Sequence, residues 1–122
     1  MDHSPLRVLV VDDDADTANS SAALLRHCGY ETAVALDGED ALGRAAQLAP
    51  DVVLLDLGMP LMDGFEVARR LRRPGGALPP FIIAVTGHDW PEDRLKCSLA
   101  GIDAHLVKPV SETLLSSLIT AL

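Results

Sequence analysis

Five short apolar runs punctuate the chain, separated by longer stretches in which apolar and polar positions mix. The runs are too short for helices and are rich in β-branched residues, so each predicts a buried strand. Three of them, VLVV, VVLL and FIIAV, show no polar alternation, which is typical of strands covered on both faces. The predicted strands are residues 6–11, 30–36, 52–55, 81–85 and 102–107.

The stretches that follow these runs carry apolar residues at helical spacing. Five helices are predicted around residues 18–28, 41–48, 65–71, 91–99 and 111–122. Their ends are marked by typical residues, namely Gly29, Pro50, the Pro74, Gly75, Gly76 turn, Gly101 and the N-cap Ser111. The resulting βαβαβαβαβα order predicts a parallel sheet with helices on both faces and right-handed crossovers.

Length and charge narrow the possibilities. A chain of 122 residues is expected to make one ordinary domain that spans residues 1–122, with no room within these residues for an output domain. The net charge of −8 argues against a nucleic-acid surface, which needs a basic stripe. The one basic run is predicted to form a solvated helix face, and it comprises Arg69, Arg70, Arg72 and Arg73.

Neither the apolar runs nor the cysteine spacing indicates a targeting signal or a metal site. The start of the chain does not resemble a signal peptide, and no apolar run approaches the roughly 20 residues of a membrane span, so we expect a cytoplasmic protein that does not bind membranes. Cys28 and Cys97 fall in separate predicted helices and form neither a CxxC nor a metal spacing. We therefore expect two buried thiols.

A polar residue follows four of the five apolar runs. Asp12 and Asp13 follow the first, Asp56 the third, Thr86 the fourth and Lys108 the last. In an open parallel sheet the ligand crevice lies outside the carboxyl ends of the strands, so these residues are expected to meet in one pocket. An acidic run alone could equally be a solvated segment or a helix cap, and capping remains the prediction for Asp14.

This combination of groups suits phosphoryl transfer. Asp56 can act as the nucleophile, because a carboxylate forms an acyl phosphate. Asp13, Asp56 and the Gly58 carbonyl offer Mg²⁺ the oxygen ligands it prefers, with Asp12 assisting through bound water. Close carboxylates repel by about 4 kcal/mol per pair at an effective dielectric near 20, so a divalent cation is expected. Thr86 and Lys108 can each engage a phosphoryl oxygen.

The strings VLVVDDD, VVLLDLGMPLMDG, IIAVTG and HLVKP resemble the receiver domain of two-component response regulators, and the resemblance covers the whole chain. It implies a flavodoxin-like (βα)5 fold, a doubly wound parallel sheet in the order 2-1-3-4-5. It also implies roles for the residues at the strand ends: Asp12 and Asp13 as the acidic pair, Asp56 as phosphoacceptor, Thr86 as switch hydroxyl, and Lys108 as the lysine before a cis Pro109. Met59, Pro60, Asp63 and Gly64 match the family's loop after the acceptor.

The resemblance implies a signalling switch. A histidine kinase or histidine phosphotransfer protein would phosphorylate Asp56, and the segment from Thr86 to Lys108 would respond and signal to an output protein or fused domain. Enzymatic activity would be limited to self-catalysed phosphotransfer and slow autodephosphorylation. The expected assembly is a monomer or weak dimer.

One departure and two alternatives accompany this prediction. His105 occupies the position where most receivers carry a switching aromatic residue, which favours receivers of hybrid kinases or stand-alone receivers. A phosphatase of the haloacid dehalogenase type needs a second acid two residues after the acceptor, where this chain has Gly58. A receiver-like binding module that is never phosphorylated remains the alternative.

Overall fold

The computed structural model describes residues 6–58, 64–72, 79–87, 91–108 and 110–120. Strands and helices alternate throughout these ranges, and each strand begins and ends within two residues of its predicted bounds. The elements are β1 (Arg7–Val11), α1 (Ala15–His27), β2 (Glu31–Ala35), α2 (Gly38–Leu48), β3 (Val52–Asp56), α3 (Gly64–Leu71), β4 (Phe81–Thr86), α4 (Pro91–Leu99), β5 (Ala104–Val107) and α5 (Glu112–Thr120).

The strands form one parallel sheet in the order β2-β1-β3-β4-β5, which confirms the predicted flavodoxin-like single domain. The inner strands are covered on both faces, and every residue of β3 is buried. This burial explains why the sequence of these strands lacks polar alternation.

Helices pack on both faces of the sheet. On one face, α1 and α5 cover alternate strand residues and bury Leu25, Leu115 and Ile119. On the other, α2 and α3 contribute Ala41, Val67 and Ala68. Burial of a large aliphatic side chain stabilises a fold by about 1.5–3 kcal/mol, so these faces hold the strand ends in fixed positions.

Two helix ends follow local backbone chemistry. Gly29 has a φ of 97°, which confirms the left-handed stop predicted after the first helix. The second helix ends at Ala49, which adopts a left-handed φ of 47° before Pro50. Alanine is rarely found in this conformation, and no sequence signal pointed to it.

The prediction of two buried thiols is right for Cys97 and wrong for Cys28. Cys97 on α4 is 4% exposed and packs with Leu57 and Ala84. Cys28 is exposed because α1 ends at His27 and Cys28 takes the C-cap position, where its side chain leaves the buried stripe of the helix. Neither cysteine forms a disulfide.

The prediction of a solvated arginine face also holds only in part. Arg69 and Arg70 are exposed and pair with Glu66 on the same helix. Arg72 lies just beyond α3, and its side chain reaches the connection between α4 and β5. Its Nε donates to the Gly101 carbonyl at 2.8 Å, and its Nη2 pairs with the Asp103 carboxylate.

Some predictions concern residues outside the described ranges. None of the helices within those ranges is long and apolar enough to cross a bilayer. The last helix begins at Glu112, directly after the predicted cap Ser111, and is described as far as Thr120. The predictions that lie outside the described residues concern Met59, Pro60, Asp63, Arg73, the turn at 74–76, Pro109 and residues 121–122.

Candidate functional site

Four strand ends converge at one edge of the sheet, as the sequence pattern predicts. Asp12 follows β1 and Asp56 ends the adjacent β3, where Val11 is in register with Leu55. Thr86 ends β4, and Lys108 follows β5 beside it. The parallel topology therefore brings together residues that are up to 96 positions apart in the chain.

Three carboxylates form the centre of the site. Asp12, Asp13 and Asp56 each contribute one oxygen to a group whose atoms lie within 4.8 Å of one another. Asp12 and Asp56 are 6% and 9% exposed, whereas Asp13 is open to solvent. Among the described residues, this is the one group of acidic, histidine or cysteine side chains close enough to hold a metal ion, and its ligands are all oxygens, as Mg²⁺ requires.

Lys108 faces two of these carboxylates. Its Nζ lies 3.7 Å from Oδ2 of Asp12 and 3.7 Å from Oδ2 of Asp56. Its side chain is 39% exposed, so the ammonium sits at the rim of the site. One ammonium offsets only part of the charge of three carboxylates, and a cation of higher charge is favoured in the remaining negative potential.

The loop from β1 to α1 fixes Asp12 through its neighbour. The Asp14 backbone N–H donates to Asp12 Oδ1 at 3.0 Å. The Asp14 carboxylate caps α1 by accepting from the Asp16 N–H at 3.1 Å and from the Thr17 hydroxyl at 2.9 Å. These bonds, that from the Thr17 hydroxyl foremost, lower the pKa of Asp14. The predicted capping role of Asp14 is confirmed.

The pKa of Asp12 reflects both its burial and the charges around it. Burial raises the pKa of Asp12 above its ordinary value, and the charges of Asp56 and Asp13 act in the same direction. The Asp14 N–H and Lys108 oppose this rise without cancelling it. The charged form of Asp12 is therefore disfavoured in the folded protein, and a bound cation would stabilise it.

Two glycines shape the surroundings of Asp56. The Gly58 N–H donates to Asp56 Oδ1 at 3.0 Å, which orients the carboxylate. A Cβ on Gly64 would lie 2.7 Å from the Leu57 Cα and 2.8 Å from the Asp56 carbonyl oxygen. Glycine is therefore required at position 64 for α3 to begin this close to the end of β3.

A cavity of about 640 Å³ opens over the carboxylates. The Asp12, Asp56 and Lys108 side chains line it together with Gly87. Sequence reasoning missed its other wall, formed by one face of α1: Asp16, Thr17, Ser20 and Ser21. Their spacing of one helical turn, beginning beside the acidic run, is the signal that could have found them.

Thr86 and His105 are not among the residues that line this cavity. Thr86 is half-buried, and its carbonyl accepts from the Lys108 N–H at 2.7 Å. His105 is opposite Ala84 in the β4–β5 ladder. Its half-buried side chain lines a separate groove with Arg94 and Cys97 of α4. The imidazole therefore lies close to α4, and its role in switching stays a prediction.

Comparison with known families decides which family this fold belongs to. The profile of the response regulator receiver domain family matches residues 8–120, nearly the full chain. This chain belongs to that family. Receiver domains serve two-component signalling, and as a family they are switches rather than classical enzymes.

Curated relatives of this receiver are longer proteins. It is 43% identical over 105 residues to the response regulator MprA of Mycolicibacterium vanbaalenii, a match that covers 86% of the receiver and 45% of MprA. It is 41% identical over 103 residues to the transcriptional regulatory protein PrrA of Mycobacterium tuberculosis, covering 84% and 43%. The receiver thus spans less than half the length of these relatives.

Solved structures match the receiver over nearly their whole length. The chemotaxis protein CheY4 of Vibrio cholerae is 33% identical, with a TM-score of 0.89 and coverage of 97% of this chain and 99% of CheY4. The BeF3-activated N-terminal receiver domain of Klebsiella pneumoniae RstA is 25% identical, with a TM-score of 0.84 and coverage of 94% and 96%. The hybrid-kinase or stand-alone subclass stays a prediction.

Proposed function

We propose that this receiver accepts a phosphoryl group on Asp56 from a histidine kinase or a histidine phosphotransfer protein, and then changes conformation for an output partner or a fused domain. The observation that carries the proposal is the approach of Lys108 to Asp56. The ammonium lies 3.7 Å from Asp56 Oδ2 while two further carboxylates crowd the same acceptor.

This arrangement supplies the groups that the transfer needs. The N–P bond of the donor phosphohistidine breaks as an O–P bond to Asp56 forms, and the imidazole nitrogen keeps the electron pair of the broken bond. Lys108 is placed to pair with a phosphoryl oxygen as a point charge. The two oxygens of Asp56 have different partners: the Gly58 N–H donates to Oδ1, whereas the Lys108 ammonium approaches Oδ2.

The acidic group fits Mg²⁺. Asp13, Asp56 and the Gly58 carbonyl would hold the ion, with Asp12 assisting through bound water, and the donors are hard oxygens throughout. When bound, the cation neutralises charge on the phosphoryl group during transfer. The raised pKa of Asp12, caused first by its burial and then by the charges of Asp56 and Asp13, is in keeping with this assignment, because a nearby cation would favour the ionised form.

Phosphorylation would then act through charge. A phosphoryl group adds about −1.5 to −2 charges, which attracts the Thr86 hydroxyl and the Lys108 ammonium. Both are carried by neighbouring strand ends, and α4 lies between them in the chain. Movement of Thr86 would reposition α4 and the surface that a partner contacts. Turnover would be confined to self-catalysed phosphotransfer and slow autodephosphorylation, in a monomer or weak dimer.

Intact-mass spectrometry tests the proposal. Incubation with acetyl phosphate and Mg²⁺ should add one phosphoryl group to the parent and none to Asp56→Asn, because an amide cannot form the acyl phosphate. Asp51→Asn is the matched control, since Asp51 precedes the other end of β3, and it should be labelled like the parent. Equal labelling of the parent and Asp56→Asn would disprove the acceptor assignment. A parent that stays unlabelled by both acetyl phosphate and a phosphorylated kinase would favour the unphosphorylated binding module.

A further inference from the structure

The cavity over Asp56 carries more negative charge than its proposed chemistry uses. Asp12, Asp16 and Asp56 all line it, and Lys108 is the one cation among its described lining residues. Asp13 adds a further carboxylate, as the third member of the group of acids that can hold a metal ion. A phosphodonor that enters this cavity is itself an anion, so each surplus carboxylate opposes its entry.

Asp16 is the surplus carboxylate. It is not part of the group of acids within 4.8 Å that can hold a metal. It is not the helix cap either, because Asp14 takes that position and Asp16 contributes only its backbone N–H to the cap. Its exposed side chain lies in the first turn of α1, on the wall of the cavity.

The place of Asp16 on α1 enlarges its effect. A helix N-terminus carries a partial positive charge of roughly +0.5, which attracts phosphate groups. The N-terminus of α1 lies at this cavity, and a first-turn carboxylate opposes that attraction. The negative charge at position 16 thus weakens one of the few features of the cavity that favours an incoming dianion.

We infer that Asp16 determines donor specificity by disfavouring small dianionic phosphodonors relative to donors of lower negative charge. Acetyl phosphate is a dianion near neutral pH, whereas phosphoramidate carries one negative charge fewer because its nitrogen is protonated. The inference rests on the proposed function, since it presumes that Asp56 accepts a phosphoryl group.

The test compares phosphorylation rates with the two small donors at saturating Mg²⁺ and low ionic strength. In Asp16→Asn the rate with acetyl phosphate should rise at least about threefold, while the rate with phosphoramidate rises less, so that the ratio of the two rates increases. Ser20→Asp places a further carboxylate one turn along the same wall and should lower the ratio, whereas Ser20→Asn should not. In about 0.5 M NaCl these differences should shrink, because exposed charges are screened.

The matched control is Glu39→Gln. Glu39 is an exposed acid in the first turn of α2. Like Asp16→Asn, this variant therefore removes one negative charge from a helix N-terminus. Unlike Asp16, Glu39 does not line the cavity. Its ratio should equal that of the parent. Melting temperatures of all variants check that each rate belongs to folded protein.

Three outcomes would overturn the inference: an unchanged ratio in Asp16→Asn, an equal rise in Glu39→Gln, or a ratio in Ser20→Asp that matches Ser20→Asn. A rise that is seen only below saturating Mg²⁺ counts with the first of these outcomes, because Asp16 would then act through metal affinity. Failure of the proposed function gives a different result, in which neither donor labels Asp56 in any variant.

Discussion

The Lys108 backbone N–H donates to the Thr86 carbonyl oxygen at 2.7 Å, one step beyond the last register pair of β4 and β5, Thr86 with Val107. This bond extends the sheet past the strands themselves. It holds the predicted switch hydroxyl and the lysine that faces Asp56 on a single edge. If a phosphoryl group attracts either side chain, both strand ends should therefore be displaced together.

Substitution of Thr86 should separate phosphorylation from its conformational consequence. Trp90 is the sole tryptophan of the chain and lies four residues after Thr86, outside the described residues. Beryllofluoride with Mg²⁺ should change its emission in the parent, and Thr86→Ala should reduce that change by more than about half while Asp56 is still labelled. Thr113→Ala, an exposed threonine of α5, should respond like the parent. A full response from Thr86→Ala would show that the hydroxyl does not couple the site to the surroundings of Trp90.

Removal of the exposed carboxylate of the metal group should weaken metal binding. Asp13→Ala is expected to raise the Mg²⁺ dissociation constant at least about tenfold in a titration, because it takes away a charged oxygen ligand. Asp14→Ser provides a control in the same loop, since serine also caps helices and Asp14 stands outside the metal group. Its dissociation constant should stay within about twofold of the parent. If Asp13→Ala bound Mg²⁺ as tightly as the parent, Asp13 would not be a ligand.

Asp12 should destabilise the metal-free fold when it is ionised. Since burial raises its pKa, the folded protein binds a proton more readily than the unfolded chain, and stability falls as pH rises through the ordinary carboxyl range to the raised pKa. Asp12→Asn removes this loss and can keep the bond from the Asp14 N–H. We expect its melting temperature to exceed the parent's by about 2–4 °C near neutral pH without metal, a small gain because solvent screens part of the charge.

The pH and metal dependence of that gain provide its check. In acid, below the ordinary pKa of Asp, the difference should disappear because the parent is protonated too. Saturating Mg²⁺ should also remove it, since the parent binds the cation more tightly and is stabilised more. Asp14 should behave in the opposite way, because its lowered pKa gives stability that is lost as pH falls. A lower metal-free melting temperature for Asp12→Asn at neutral pH would refute the sign.

His105 should matter for the switch but not for acceptor chemistry. Its side chain lies in the groove beside α4 and does not line the cavity that contains Asp12 and Asp56. His105→Ala should therefore be labelled on Asp56 at the parental rate, yet show a smaller Trp90 response to beryllofluoride. His105→Phe restores an aromatic ring and should recover the response. An alanine variant equal to the parent in both beryllofluoride response and partner binding would assign His105 no switching role.

Arg72 should contribute to stability, unlike its neighbours on α3. It joins the end of α3 to Gly101 and Asp103, and Asp103 Oδ2 also accepts from the Ile82 N–H at 2.8 Å at the start of β4. Arg72→Met should lower the free energy of unfolding by about 1–2 kcal/mol, since it leaves the half-buried Gly101 carbonyl and the Asp103 carboxylate without this donor. Arg69→Met, which loses only an exposed pair with Glu66, should change it by less than about 0.5 kcal/mol. Equal effects in chemical denaturation would contradict the distinction.

Local sequence patterns predicted the elements well, for physical reasons visible in particular residues. The run VVLLD is wholly apolar up to its acidic end because every residue of β3 is buried between two layers of helices. Asp14 was expected to cap a helix, since its carboxylate needs only the N–H groups of the following turn. Gly29 was expected to end that helix because a positive φ favours glycine.

The sequence by itself determined the alternation of strands and helices and the placing of polar residues after the strands, from which the meeting of Asp12, Asp56, Thr86 and Lys108 at one edge follows. These features depend on residues within one or two turns of each other and on the rule that parallel strands share a carboxyl edge. Only the tertiary structure decided that Asp16 lines the acceptor cavity, that Cys28 is exposed, and that Arg72 binds Asp103, 31 residues away. Such contacts depend on how whole helices pack against the sheet, and packing is set by the summed shapes of distant side chains rather than by any local pattern.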